Sequence, residues 1–522
     1  MSQAAATAQT PSDLEIENQL LREQLTQLQH QLDWFKRQLF GSKSEKRRIE
    51  PNPDQLALLG KLPADLQSGP PEKQIIQAYA RGKAQKNRGE SVNDSGLRFD
   101  DSVEVKELRI IPDELRGPDA EQYEIISEHK TFRLAKRPSS LFVLCYIEPV
   151  IKRKTDQQLI HHQSPSGIFD KSIVDVSYLS GMLVDKFVYH SPLYRQHQKL
   201  QANGFKLARS SLTNWTRRSI DLLAPIYQAQ LEHILQSKVL AMDETPIKAG
   251  KKGKGKMNLA YFWPLYGDAD EVAFTFSPTR GQQHVLDILG DEFTGILLTD
   301  GYSAYQHYAQ KAKDVTHAQC WVHARRYFDR AKDAEPIACA QALQLIGAIY
   351  RHEQAIRDCR LSGEEKLGYR TQHSLPVVER FFVWCDEQCQ REELLVSNPL
   401  ARALTYARER EAQLKVFLSD PAVQLDTNHL ERALRVIPMG RKNWLFSWTE
   451  VGAKHIGIIQ SLLVTCRLHD INPYTYLVDV LQRVGLHPAN KVEELTPRLW
   501  KKRFSTNPMK SDINLVDGYH AH

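Results

Sequence analysis

Cysteine is scarce in this chain, seven in 522 residues, and the seven are too scattered for a disulfide framework. A reducing interior is the simpler expectation. Long hydrophobic runs are missing too: the longest, LFVLCYI, is far too short to cross a bilayer, so no membrane role is expected. The opening segment MSQAAATAQTPSDLE lacks a basic stretch followed by an apolar one, so no secretory leader is expected and the cytoplasm is the expected compartment. Neither charge dominates. The 69 basic and 63 acidic residues leave a net charge of +6, so partners must be read from clusters rather than from the total. What the chain does have is length and a folding composition, 41% hydrophobic and 25% charged. A single core rarely grows past about 250 residues, so two or more domains are expected.

Leu14, Asn18, Leu21, Leu25, Leu28, Leu32, Phe35 and Leu39 alternate steps of four and three, an unbroken heptad seam with one amide. Residues 1–50 therefore read as a coiled-coil dimerisation segment. With Leu14 at d, Asn18 falls at a, where its amide is best satisfied by its twin in a parallel dimer. An amphipathic helix packed on its own chain gives the same pattern. Residues 51–101 carry Pro-Pro, Ser-Gly and Arg-Gly punctuation with Arg81, Lys83, Lys86 and Arg88, and read as a flexible basic linker. Residues 102–165 show β-type alternation, as in SLFVLCYIEPVIKRK, and suggest a small strand-containing module. In residues 166–236, PLYRQHQKLQANG predicts a helix closed by Gly204. Ser210 and Ser211 are expected to cap a second one, with Leu212, Trp215 and Leu222 facing inward and Arg217 and Arg218 beside them. A short helix, a tight turn and a basic second helix make the pattern of a helix-turn-helix that enters the major groove, although many helical hairpins look alike and bind nothing.

Further on, KVLAMDE reads as a buried strand ending in acid, and 258–266 with 272–276 as two more strands around the turn at 267–270. A helix over 281–289 follows, then GILLTD as a fourth strand and THAQCWV as a fifth. Three strands, helix, strand, helix, strand is the order of a ribonuclease H-like fold, in which the ends of the first and fourth strands lie side by side. Asp243 and Asp300 would then share a metal ion. A third carboxylate must come from a helix across the sheet, and Glu431 meets the demand, with Asn428, Glu431 and Arg435 on one face and Leu430, Leu434 and Ile437 on the other. Oxygen ligands of this kind suit two magnesium or manganese ions, which clamp the attacking and leaving oxygens of an in-line phosphoryl displacement. Each acid also has a plain alternative: Asp243 as the start of the turn before Pro246, Asp300-Gly301 as a turn pair, Asn428 with Glu431 as a capping box.

The catalytic core is thus expected over 237–330 and 421–485, with a helical insertion at 331–420 and a tail at 486–522. The whole is multidomain α+β. KAGKKGKGK is expected to place Lys248, Lys251, Lys252, Lys254 and Lys256 on a glycine-rich loop between the first two strands. GRKNWLFSW adds Arg441, Lys442 and Trp444 after the catalytic helix. Both segments flank the expected cleft and, with Arg435, read as phosphate contacts; Trp444 reads as a stacking platform for an unpaired base. A solvated charged loop and a core tryptophan are the alternatives.

At these residues the chain resembles the insertion sequence 66 family of DDE transposases, through LFGSKSEK, SPLYRQHQKLQANGFKLARSSLTNW, AMDETP, LTDGYSAY, CWVHARRYF and NHLERALRVIPMGRKNWLFSW. The resemblance implies that Asp243, Asp300 and Glu431 form the catalytic triad. It further implies binding to the terminal inverted repeats of a mobile element, cleavage of its ends and joining to target DNA, in association with the nucleoid and with accessory proteins encoded beside it. A non-catalytic repressor or domesticated remnant that dimerises through its zipper is the competing reading, and a nuclease without strand transfer a third. One region departs from the family, which usually carries a cysteine-rich zinc module before the helix-turn-helix: residues 102–160 hold Cys145 alone. Cys320 and His323 form a possible soft ligand pair but are expected to pack near the sheet, and Cys385 and Cys389 to sit in the core of the inserted helices.

Overall fold

The computed structural model describes residues 97–518 apart from 100, 102, 138–139, 162–166, 170–171, 254, 445–446 and 448; before residue 97 it describes Arg22 and Gln29 alone, both helical. The zipper seam from Leu14 to Leu39, residues 51–96 of the linker, Lys254 and the Trp444 side chain lie outside the described residues. Two compact units divide the chain, 1–91 with 333–335 and 92–332 with 336–522. The second unit holds two β-sheets and the helices packed on them.

Its first sheet contains β1 (Val105–Arg109), β2 (Tyr123–Arg137), β3 (Ser140–Arg153) and β4 (Leu159–His161), with β2 and β4 antiparallel to β3 and β1 parallel to it. The centre of β3 is buried on both faces. Val143 joins the main core with Leu134, whereas Phe142, Leu144 and Tyr146 meet Ile513 and Val516 of the C-terminal helix. Cys145 lies in this buried stretch, and burial pushes its thiol up to about 11.

Three helices come next, α1 (Val176–Phe187), α2 (Leu193–Ala202) and α3 (Arg209–Leu235). Gly204 comes just after α2, as its pattern predicts. The start of α3 differs from expectation: its N-cap is Ala208, with no side-chain capping bond, and Ser210 and Ser211 lie inside the first turn. The extended backbone at Ala208 (ψ 139°) already makes the transition into the helix, so no serine is needed at the boundary. Leu212 and Trp215 are buried as predicted. The helix then runs on for 27 residues in all, and the Gln230 amide near its end donates to the Val272 carbonyl at 2.8 Å.

The second sheet is built from β5 (Val239–Met242), β6 (Thr245–Gly253), β7 (Lys256–Tyr266), β8 (Val272–Ser277), β9 (Gly295–Thr299) and β10 (Val315–Gln319). β5 and β6 lie in succession along one edge of β7, both antiparallel to it, and β8 pairs with its other edge. β9 runs parallel to β5, and β10 parallel to β9. The lysine-rich segment is therefore a hairpin rather than a loop. In β6, Thr245, Ile247 and Ala249 are buried while Pro246 and Lys248 are exposed, which is strand alternation with lysine on the wet face. Gly250 and Gly255, both with positive φ, supply the bulge and the turn that the hairpin needs.

Successive β5 residues bury opposite ways, Val239 and Ala241 into the main core and Leu240 and Met242 into a second core around Trp263, Leu297 and Tyr305. Helices on both faces enforce this. They include α4 (Gln282–Leu289), α5 (Ser303–Lys311) and α6 (Trp321–Ala331). A helical stretch continues the chain: α7 (Pro336–Asp358), α8 (Gly363–Tyr369), a π turn (Arg370–Ser374), α9 (Leu375–Cys389), α10 (Pro399–Arg408) and α11 (Glu411–Lys415). Cys385 is buried there, but Cys389, expected in the core, is exposed because it falls on the wet side of the last turn of α9. Then come α12 (Asn428–Leu434), α13 (Val436–Trp444), α14 (Glu450–Leu468), α15 (Pro473–Arg483), α16 (Pro497–Arg503) and α17 (Ile513–Gly518).

α14 lies so close on β8 that a Cβ at Gly457 would stand 2.5 Å from the Phe274 carbonyl oxygen. Backbone in a sheet cannot step aside as a side chain can, so Gly457→Ala is expected to destabilise the fold by about 1–3 kcal/mol. Thermal unfolding will show it; an unchanged midpoint would mean that the helix slides freely on the sheet.

Candidate metal centre

Parallel pairing of β5 with β9 matches Ala241 with Leu298, so both strands end at the same level of the sheet. Two residues on from each matched position stand Asp243 and Asp300. Ligand oxygens of Asp243, Glu244 and Asp300 all lie within 4.8 Å of one another, the one such acidic group of three among the described residues. Asp243 and Asp300 each use one oxygen locally: Asp243 Oδ1 accepts the Glu244 N–H at 2.7 Å, and Asp300 Oδ1 accepts the Tyr302 N–H at 2.9 Å. Glu244 is tied down by side chains. Its Oε1 accepts from Arg280 Nε at 3.0 Å and its Oε2 from the buried Tyr305 hydroxyl at 2.7 Å, while Arg280 stacks on the Tyr302 ring.

Burial pushes the Asp243 carboxyl up to about 8, and the neighbouring charges of Glu244, Asp300 and Glu431 push the same way, against the Glu244 backbone hydrogen bond. Burial raises Glu244 as well, with Asp300 adding to the rise and Tyr305 and Arg280 opposing it. Hard oxygen donors crowded together with more negative charge than one arginine offsets are a donor set that fits a divalent cation such as magnesium or manganese.

Glu431 stands outside the tight group of three. It sits in the first turn of α12, faces Arg326 of α6 at 3.6 Å, and is close enough to raise Asp243. No capping box forms there: the N-cap is Thr427, Asn428 is already helical, and its amide donates to Asp426 at 2.7 Å. The start of α12 is held to the end of β10. The Trp321 N–H donates to the Leu425 carbonyl at 3.1 Å, and the Thr427 N–H and hydroxyl both donate to Cys320 Sγ at 3.4 Å. Cys320 is thus a buried acceptor, pushed up to about 11 by burial. His323, one turn on, has a buried Nδ1 without a hydrogen-bond partner; burial depresses the ring, with Asp300 and Glu431 opposing.

Sequence reasoning overlooked Glu244, although AMDE shows it beside Asp243, and gave no hint of Arg280, Tyr305 or Arg326 as its surroundings. Among the basic residues, Lys251, Lys252 and Lys256 are exposed on the hairpin. Arg435 and Lys442 are exposed too, and Arg441 donates to the Pro246 carbonyl. Ser447 pairs with this hairpin, its N–H donating to the Lys248 carbonyl at 2.9 Å and its carbonyl accepting from Gly250 at 3.1 Å. The two basic segments, far apart in sequence, therefore adjoin. Arg217 and Arg218 lie apart on α3: Arg217 is exposed beside Asp221 at 3.7 Å, while Arg218 is half-buried over the Phe169 ring at 4.1 Å.

A mixed α/β unit with an acidic cluster at the ends of two parallel strands defines a candidate divalent-cation protein. Comparison with known proteins narrows this. Residues 171–455 match the model described as transposase IS66 family, 461–498 the IS66 C-terminal element, and 27–94 transposase C of IS166 homeodomain. The first match spans more than half of the chain, and the chain belongs to the IS66 family of transposases. Relatives from Sinorhizobium fredii include uncharacterized protein y4hP, 30% identical over 373 residues (67% of this chain, 65% of that protein). Uncharacterized protein y4jD is 27% identical over 365 residues (67% and 70%), and uncharacterized protein y4qI 26% over 511 (94% and 92%). The match with y4hP thus spans slightly less than two thirds of that relative. No helix among the described residues is long and apolar enough to cross a membrane.

Proposed function

We propose that this protein is a DDE transposase that binds the terminal inverted repeats of an insertion element, cleaves its ends and joins the 3′ hydroxyls to target DNA. The convergence of Asp243 and Asp300 at the ends of paired strands carries the reading. Strand order supports it: β8, β7, the β5–β6 line, β9 and β10 succeed one another across the sheet, antiparallel first and parallel after, as a ribonuclease H-like core requires. Glu431 is the third carboxylate. Two magnesium or manganese ions, when bound, would align the attacking and leaving oxygens of a phosphodiester and offset the charge that develops there. Asp243, in its ionised form, and Asp300 would hold a cation between the two strand ends. Glu431 closes the site from α12, and Arg280 and Tyr305 keep Glu244 directed at the pair.

The lysine hairpin, Arg435, Arg441 and Lys442 serve as phosphate contacts at the rim, and α2 with α3 as the helix-turn-helix, where the exposed Arg217 is the better DNA contact and Arg218 packs against Phe169. Residues 331–420 act as a helical insertion in the core. A homodimer or higher oligomer, with accessory proteins of the same element, is the working assembly, in the cytoplasm at the nucleoid. A pure repressor has no use for clustered acids beside phosphates.

Purified protein with magnesium and labelled element-end DNA is expected to yield 3′ hydroxyl ends and joined products, both lost on chelation. Binding without any cleavage would favour the repressor. Replacing Lys251, Lys252 and Lys256 with glutamine should weaken binding to all DNA sequences alike and flatten the salt dependence, by about 0.9 in log–log slope for each phosphate no longer neutralised. An unchanged slope would remove the hairpin from the DNA-binding surface.

A further inference from the structure

The helices between β10 and α12 do more than fill the long interval separating Asp300 from Glu431. Arg370, in the π turn between α8 and α9, has a wholly buried side chain. A guanidinium in that position must find partners for its donors. Nε and Nη2 grip both oxygens of Glu353 on α7 at 2.8 Å each. The remaining capacity goes to backbone: Nη1 donates to the carbonyls of Phe417 (2.5 Å) and Asp420 (3.1 Å), and Nη2 to that of Val423 (3.1 Å). Those three carbonyls belong to the segment that leads into α12, a 3₁₀ turn (Val416–Leu418) and the irregular chain after it. The far end of that stretch is tied to Trp321 and Cys320. Arg370 thus fixes one end of the lead-in to Glu431, and the end of β10 fixes the other.

A second contact from the same helices reaches Gly301, next to Asp300 in the chain. A Cβ at Gly301 would stand 2.7 Å from the Tyr406 ring and hydroxyl and 3.0 Å from Arg410 Nε. Tyr406 is itself stacked on Tyr327 of α6 at 4.3 Å, with Arg410 over the ring at 4.2 Å. The turn that carries Asp300 is pressed against a rigid face.

We propose that the helices from α7 to α11 form a clamp that sets the placement of Asp300 relative to Glu431, with Arg370 as the positioning residue for Glu431. This rests on the reading of these acids as a metal site. A buried ion pair adds little net stability against an apolar pair of equal volume. What an apolar pair cannot do is satisfy three carbonyls at fixed positions, and that is the function Arg370 serves. Lysine cannot replace it, because one ammonium does not span Glu353 and three separate carbonyls.

The test compares full-length Arg370→Lys and the double variant Arg370→Met with Glu353→Leu against the wild type. Arg483→Met serves as a control, since Arg483 makes a two-pronged ion pair with buried Asp479 within α15. Each protein is measured for thermal unfolding, Mn²⁺ binding without DNA, end-DNA affinity, and the Mg²⁺ midpoint of end cleavage. Both Arg370 variants are expected to weaken Mn²⁺ binding and raise the Mg²⁺ midpoint about 10-fold, the low end of what losing a directly bonded outer partner costs because Arg370 acts through the backbone leading to Glu431, with end-DNA affinity kept. The control loses thermal stability and leaves the metal midpoint in place. If either folded Arg370 variant keeps Mn²⁺ affinity and Mg²⁺ midpoint within twofold of wild type, the proposal is overturned while the metal site stands. If the wild type binds no Mn²⁺, the site reading falls and the clamp with it.

Discussion

Asp243→Asn or Asp300→Asn is expected to abolish end cleavage and joining while leaving affinity for element-end DNA nearly intact, and Glu431→Gln to do the same. Amide and carboxylate are nearly the same size, so each change removes charge and, on the proposed reading, a metal ligand without opening a cavity. The geometry adds a second signature. Desolvation, with the charges of Glu244, Asp300 and Glu431 adding to it, pushes the carboxyl of half-buried Asp243 up to about 8, so its ionised form is costly to the metal-free protein. Asp243→Asn should therefore unfold at a temperature no lower than wild type, and higher at alkaline pH, while being inactive. A residue serving only a turn or a cap would show the opposite pair of results, roughly 1 kcal/mol of lost stability and continued cutting. Labelled-end assays together with thermal melts decide between them, and appreciable cleavage by any one variant removes that residue from the triad.

Cation affinity should climb steeply with pH. Unfolded, Asp243 titrates near 4; folded, its value is raised to about 8. Between those values the native state holds more protons than the unfolded one, so metal-free stability falls as pH rises through that window and levels off above it. A cation needs the ionised carboxylate and must displace that proton. Affinity for Mn²⁺ is then expected to rise up to about tenfold per pH unit below pH 8 and to flatten above. Titration calorimetry in buffers of different ionisation enthalpy will count the proton released. An affinity constant from pH 6 to pH 8 would mean that Asp243 is already ionised, or that it does not bind the metal.

The approach of Asp243 to Asp300 was legible because each of the two ends a run whose burial is written in the residues themselves. VLAM before Asp243 and GILLT before Asp300 have no polar residue to turn outward except the terminal threonine, which is buried. The lysine hairpin was missed for the converse reason: glycine and lysine at that density imitate a loop, and only Thr245, Ile247 and Ala249 on alternate positions betray a strand. Glu244 shared a motif with Asp243 and was overlooked because one acid satisfied the expected chemistry. Arg370 with Glu353 was beyond reach, since nothing local tells which of 69 basic residues lies wholly buried; that is decided by how α7 and α9 pack. The zipper seam, read most directly of all, falls outside the described residues.

The two-sided burial of β3 bears on the order in which the molecule is finished. Phe142, Leu144 and Tyr146, with Ala135, Leu108 and Ile110 beside them, pack against Ile513 and Val516 of α17, and Tyr146 completes the contact by donating to Asp512 at 2.7 Å. Nearby, the Ser511 hydroxyl donates to Asp175, the N-cap of α1, at 2.5 Å. During synthesis that face of β3 stays wet until some 370 further residues have left the ribosome, which at about 5–20 residues per second is on the order of 20–70 s. For all that time the early sheet is half a core, with an apolar face open to other chains, and its partner is a helix made hundreds of residues later.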